Sequence, residues 1–187
     1  MNKAIFLDRD GVVNELIYET DGRIMSPCLP EQVIFCKKSK EGLQLMKSLG
    51  FKLVVVTNQP GIAKGFLSWE NLEKIHRKIQ QETEIDAFFT CPHLPEISGS
   101  CGCRKPLPGL LYEAQEKFNI CLAHSYLVGD NLSDIRCGND AGVKKTFRIG
   151  TLRADILELQ HAKGIFPDFT CQNLLDVALE ILRLEAE

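Results

Sequence analysis

The sequence has no apolar run approaching the ~20 residues of a membrane-spanning helix; its apolar stretches are of strand length. It has no excess of positive charge either. Its 22 Lys and Arg stand against 25 Asp and Glu, a formal net charge of −3, which argues against a broad nucleic-acid-binding face. A secretory leader is missing from the start, where Lys3 is followed by only four apolar residues before Asp8. The expected setting is therefore the cytoplasm. Internal repeats, low-complexity tracts and linkers are also lacking, so one domain over residues 1–187 is expected. Cysteine is not scarce: there are 8. In a chain that is 44% hydrophobic and has no export signal, clustered cysteines point to metal and scattered ones to buried thiols, rather than to a disulfide framework.

What is present begins with Ile5-Phe6-Leu7-Asp8-Arg9-Asp10-Gly11. A short apolar run stops at two carboxylates one residue apart, and a glycine follows. Asp-Gly between apolar runs is also a hairpin signal. An EF-hand loop is excluded, because its glycine belongs at the sixth position and this one stands at the fourth. If the run is a buried parallel strand, Asp8 and Asp10 lie at its carboxyl end, the edge at which α/β sheets bind ligands.

The rest of the chain favours that strand. Apolar runs at 4–8, 51–56, 86–90, 126–128 and 145–149 alternate with helical patterns over 39–49, 68–82, 108–118 and 132–141; 174–184 adds a last helix. Ser68 is placed to cap the second helix and Pro108 to open the third. Residues 14–36 read as irregular or hairpin-like, with a turn signal at Asp21-Gly22, and 91–108 as a loop. The alternation predicts an α/β fold with a doubly wound parallel sheet. Three of the runs close on polar residues: Asp8 and Asp10, then Thr57 and Asn58, then Asp130 with Asp134 a helical turn later. A parallel sheet would gather all of these at one rim, and Arg104-Lys105 could reach it. Two aspartates, a distal aspartate, a threonine and a lysine describe a magnesium-assisted phosphoryl-transfer site, where positioning and charge stabilisation do most of the catalysis.

Cys91-Pro92-His93 and Cys101-Gly102-Cys103 supply three thiols and an imidazole. That set closes a tetrahedral, structural zinc site. It would fix a proline-rich loop that runs directly into Arg104 and Lys105. Cys28, Cys36, Cys121, Cys137 and Cys171 show no ligand spacing, and His76, His124 and His161 read as structural or exposed.

Asp8-Arg9-Asp10-Gly11-Val12, Val56-Thr57-Asn58-Gln59, Lys105-Pro106 and Gly129-Asp130-Asn131-Leu132-Ser133-Asp134 resemble the four ordered motifs of the haloacid-dehalogenase-like (HAD) phosphohydrolases. The resemblance implies a Rossmann-like fold and an aspartyl-phosphate mechanism. Asp8 would be the nucleophile and Asp10 the acid and base. Asp8, the Asp10 carbonyl and Asp130 would hold Mg²⁺. Thr57 and Lys105 would bind the phosphoryl oxygens, with Asp134 orienting Lys105. Asn58, Arg104 and Lys64 would face the substrate, and Gly11 would let the chain turn away from the metal. The lack of a large insert implies little or no cap. Within the family, the Cys-Pro-His and Cys-X-Cys-Arg-Lys-Pro segments are similar to those of the heptose-bisphosphate and histidinol-phosphate phosphatases. Thr57 to Phe66 leans to the heptose group and its place in lipopolysaccharide precursor synthesis. Pro60 and Asn131 depart from that group, which carries Ser and often Lys there. The expected partner is a small phosphorylated sugar, met by a monomer, with no nucleic acid or membrane.

Overall fold

The computed structural model describes residues 1–151 and 154–186. Its central sheet has six parallel strands in the order β5-β4-β1-β6-β7-β8, formed by β1 (Ala4–Leu7), β4 (Lys52–Asn58), β5 (Ala87–Cys91), β6 (Tyr126–Gly129), β7 (Lys145–Ile149) and β8 (Phe169–Cys171). Strand β1 lies between β4 and β6, with Leu7 paired to Val55 on one side and to Val128 on the other. The strands after β1 are laid down first to one side and then to the other. The crevice at this change of direction is the ordinary binding site of such sheets.

Burial on both faces explains the continuous apolar strands. Ile5, Leu7, Leu53 and Val55 pack with residues of α1 (Ser39–Ser48), α2 (Trp69–Glu82) and α7 (Leu174–Ala186). Their neighbours Ala4, Phe6, Val54 and Val56 pack on the opposite face with α4 (Gly109–Phe118) and with Cys137 of α5 (Leu132–Ala141). Helix α2 is capped by Ser68, whose hydroxyl accepts the Asn71 N–H at 3.1 Å, and buries Leu72, Ile75 and Ile79.

Residues 17–25 form the hairpin that the Asp21-Gly22 turn signals, from β2 (Ile17–Tyr18) and β3 (Ile24–Met25). The structure corrects the sequence reading in three places. Cys91 ends strand β5 instead of opening a loop, and the loop beyond it contains a short helix α3 (Pro95–Ser98). Pro108 is the N-cap of α4 and not its first residue. Strand β8, in a stretch to which the sequence pattern assigns no element, pairs with β7 at the sheet edge after α6 (Ala154–Lys163). Three half-buried residues carry too little periodicity to announce a strand.

Candidate active site

The rim is assembled by strand ends. The Asp8 N–H donates to the Val128 carbonyl at 2.9 Å, which continues the β1–β6 ladder one residue past the strand and fixes Asp8 at the crevice. One pocket is lined by Asp8, Asp10, Thr57, Asn58, Lys105, Asp130 and Asn131, together with Leu16, Ser26 and Ser133. Lys105 is buried, and its ammonium touches Asp8 Oδ1 at 2.8 Å, Asp134 Oδ1 at 2.6 Å and the Val56 carbonyl at 2.8 Å. Two hydrogen bonds, to Asp8 and the Val56 carbonyl, and the close ion pair with Asp134 hold the cation in place. Asn58 fixes its backbone: the Lys105 N–H donates to Asn58 Oδ1 at 3.1 Å and Asn58 Nδ2 donates back to the Lys105 carbonyl at 3.2 Å. Asp134 also accepts the Asn131 N–H at 3.1 Å, closing the first turn of α5 as it holds Lys105.

Two glycines make room for this crowding. Gly11 has φ +84°, and a Cβ there would run into the Asp130 carboxylate. A Cβ on Gly129 would meet the Asp134 carboxyl. Packing acids this closely shows in their ionisation. Burial pushes Asp8 up to about 7 against the pull of Lys105, and Asp134 and Asp130 push the same way. Burial and then Asp134 raise Asp130 to about 6. Burial alone would lower Lys105, but Asp134 and Asp8 outweigh it and hold the ammonium protonated. Carboxylate oxygens of Asp8, Asp130 and Asp134 lie within 4.8 Å of one another, the donor set of a hard cation. Asp134 has one oxygen on Lys105 and the other on the Asn131 N–H, whereas Lys105 engages only one oxygen of Asp8, so Asp8 and Asp130 are the better placed for a metal.

Asp10 sits in a different environment. Arg9, fully buried, grips it with a fork: Nε to Oδ1 at 3.0 Å and Nη2 to Oδ2 at 2.9 Å. Asn14 Nδ2 donates to Oδ1 at 2.9 Å and Gln59 Nε2 to Oδ2 at 2.8 Å. Burial opposes ionisation here too, but Arg9, Asn14 and Gln59 outweigh it and hold the carboxyl below its usual range. Behind the fork, Arg9 Nη1 meets His76 Nε2 at 3.4 Å. His76 stacks on Phe88 at 4.3 Å, and burial with Arg9 pulls it down to about 3. It is a neutral ring and an acceptor for Arg9. Gln59 also donates to Thr57 Oγ1 at 2.9 Å, and so links the second strand end to Asp10.

The three thiols and the imidazole come together, with neighbours at 3.3–3.6 Å: Cys91 Sγ to His93 Nδ1 and to Cys101 Sγ at 3.6 Å, Cys101 to Cys103 at 3.5 Å, and His93 Nδ1 to Cys103 at 3.3 Å. A tetrahedron with zinc–sulfur bonds of ~2.3 Å has edges of roughly 3.7 Å, whereas a disulfide would need about 2.05 Å. The residues fit a closed tetrahedral ion. The loop is tied to the rim by the Gln59 N–H, which donates to the Cys91 carbonyl at 2.8 Å.

This geometry has relatives. A family model described as HAD-hydrolase-like matches residues 102–177. The D-glycero-alpha-D-manno-heptose-1,7-bisphosphate 7-phosphatase of Photorhabdus laumondii is 36% identical over 159 residues, 80% of this chain and 83% of that protein. The D-glycero-beta-D-manno-heptose-1,7-bisphosphate 7-phosphatase of Helicobacter pylori is 38% identical over 76% of this chain and 81% of its own length. The crystal structure of D,D-heptose 1,7-bisphosphate phosphatase from Bordetella bronchiseptica, complexed with magnesium and phosphate, superposes with a TM-score of 0.79 at 31% identity. It covers 97% of this chain and 99% of that one. The chain belongs to the HAD-like phosphatases. It is a phosphoric monoester hydrolase of the α/β class, and no helix among the described residues is long and apolar enough to cross a membrane.

Within this HAD-like site, not every residue singled out from the sequence falls in the catalytic pocket. Arg104 turns back to donate to the His93 carbonyl at 3.1 Å, and it does not line the pocket. Lys64 lines a neighbouring cavity instead. Sequence reasoning missed the roles of Arg9, Asn14, Gln59 and His76. Arg9 and Gln59 stand inside the quoted motifs, but a charged residue beside two acids reads as solvated until its burial is seen.

Proposed function

We propose that the protein removes the 7-phosphate of D-glycero-D-manno-heptose 1,7-bisphosphate through an aspartyl-phosphate on Asp8, as a step towards nucleotide-activated heptose and the lipopolysaccharide core. The observation that carries the chemistry is the Lys105 ammonium 2.8 Å from Asp8 in the pocket shared with Asp130; the printed names of the relatives support the substrate. Asp8 attacks phosphorus and the ester oxygen leaves, taking a proton from Asp10. Asp10 then takes a proton from the water that attacks the aspartyl-phosphate, which releases phosphate and restores Asp8. The four donors on Asp10 favour its carboxylate, the form that accepts a proton. An arriving phosphoryl dianion favours the protonated form that donates one, because like charges oppose each other. Lys105 and Thr57 face the transferring oxygens, and Asn58 holds Lys105 in register.

Mg²⁺ would be held by Asp8, Asp130 and the Asp10 carbonyl, and supplies charge neutralisation for the attack when bound. Because Asp8 is raised to about 7 and Asp130 to about 6, protons compete with the metal. The Mg²⁺ concentration for half-maximal activity is therefore expected to rise steeply from pH 8 to pH 6; a constant value would contradict this assignment. Zn²⁺ would be held by Cys91, His93, Cys101 and Cys103. Metal analysis is expected to find one zinc per chain. Cys101→Ser should lose it and most activity, since Arg104 and Lys105 follow the ligands directly.

The substrate reading is tested by comparing kcat/KM on heptose 1,7-bisphosphate, histidinol phosphate and fructose 1,6-bisphosphate. The heptose should lead by about tenfold or more, the net worth of roughly one hydrogen bond. A lead for histidinol phosphate would move the enzyme to the other subgroup.

A further inference from the structure

The catalytic pocket opens on two larger cavities whose charges differ. One, of about 580 Å³, carries Lys37 and Arg148 but also Glu15 and Asp130, so its charges cancel. The other, of about 500 Å³, lies between the β2–β3 hairpin and the loop after β4, and carries Arg23 and Lys64 with no carboxylate in its lining. It adjoins the reaction centre through Ser26, which lines both spaces, and through Gln59, which lines it while touching Asp10. Arg104, the other cation beside Lys105, is committed to the His93 carbonyl.

We propose that this hairpin cavity seats the second phosphate of the substrate, and that Arg23 together with Lys64 selects a bisphosphate over a monophosphate. The inference rests on the sugar-bisphosphate reading above. Arg23 lines the cavity and is restrained there. Its backbone N–H and its Nε both donate to Asp21, at 3.1 and 2.7 Å, which limits the side chain's freedom, while both Nη groups have no partner among the described residues. Lys64 lies 6.0 Å over the Phe66 ring and has no carboxylate partner among the described residues. A fork and a point charge in the lining of one cavity suit a phosphate dianion. Between them, Ile24, Met25 and Leu67 give the C–H faces of a sugar ring an apolar surface. A hairpin of two-residue strands thus does locally what a cap domain does elsewhere: it supplies the recognition wall that a bare sheet rim lacks.

The test compares kcat/KM for a bisphosphate with that for the matching monophosphate, on heptose 1,7-bisphosphate against heptose 7-phosphate and on fructose 1,6-bisphosphate against fructose 6-phosphate. Arg23 is exposed, so its variants should fold. In Arg23→Ala both ratios should fall by about tenfold or more, with the loss chiefly in KM for the bisphosphate, and Arg23→Lys should recover part of it. A purely structural role would lower both substrates together and leave the ratios alone, which would overturn the proposal. The fructose pair separates the two readings. If heptose bisphosphate proves a poor substrate yet Arg23→Ala still lowers the fructose ratio, the cavity stands and the heptose reading falls. If the wild type prefers heptose bisphosphate and Arg23→Ala keeps that preference, the cavity assignment fails alone.

Discussion

Asp8→Asn is expected to abolish turnover, by about 10⁴-fold or more, in a protein that folds as before. An amide cannot attack phosphorus, and no other carboxylate stands where Asp8 stands. Asp10 is gripped by Arg9, and Asp134 is tied to Lys105. The stability effect has a definite sign. Burial raises Asp8 to about 7 in the folded protein, above its value in an unfolded chain. The native state therefore binds that proton more tightly, and stability falls as pH rises from about 4 to about 7. The asparagine variant lacks this loss, while Lys105 keeps Asp134 and the Val56 carbonyl. Without Mg²⁺ at pH 8 its Tm should equal or exceed that of the wild type. Thermal scans at pH 5 and pH 8 with a turnover assay check both halves; substantial residual activity would remove Asp8 from the centre of the mechanism.

Arg9→Met should be the more damaging change to the fold. Arg9 has no exposed surface and donates twice to Asp10 and once to His76. Removing one partner of a buried ion pair costs about 3–5 kcal/mol, a large part of the stability of an ordinary domain. The catalytic effect should depend on the leaving group. A sugar alkoxide needs the proton of Asp10, whereas p-nitrophenolate leaves without one. Values of kcat/KM report only the steps up to the aspartyl-phosphate, so the base role of Asp10 in the second half does not enter. Freed from the fork, Asp10 is misplaced, and kcat/KM on an alkyl phosphate should fall about 10²-fold more than on p-nitrophenyl phosphate, within the usual range of general acid catalysis. An equal fall on both would make Arg9 a purely structural residue.

The rim was legible in the sequence for a physical reason. A strand buried on both faces must be apolar throughout, so Asp8, Thr57 and Asp130 stand out at the points where Ile5–Leu7, Leu53–Val56 and Tyr126–Val128 stop. The Cys91–Cys103 loop was legible because thiol and imidazole spacing is a short-range property of the chain. What lay beyond reach was the direction of long polar side chains. Nothing local tells that Arg9 turns inward beneath Asp10, that Asn58 grips the Lys105 backbone 47 positions away, or that Arg104 turns back to His93. The hairpin was half visible through Asp21-Gly22, but its placement against Lys64 depends on tertiary packing. Strand β8, three half-buried residues at an edge, is held by its pairing with β7 more than by its own pattern.

The central claim is that the phosphoryl group passes through Asp8. Its most direct test is to quench the enzyme during turnover of the bisphosphate, reduce it with borohydride and map the peptides by mass spectrometry. An acyl phosphate on Asp8 is reduced to homoserine, so position 8 should carry that change in the turning-over enzyme and not in enzyme without substrate. An unmodified Asp8, or homoserine at position 10 or 130 instead, would contradict the account.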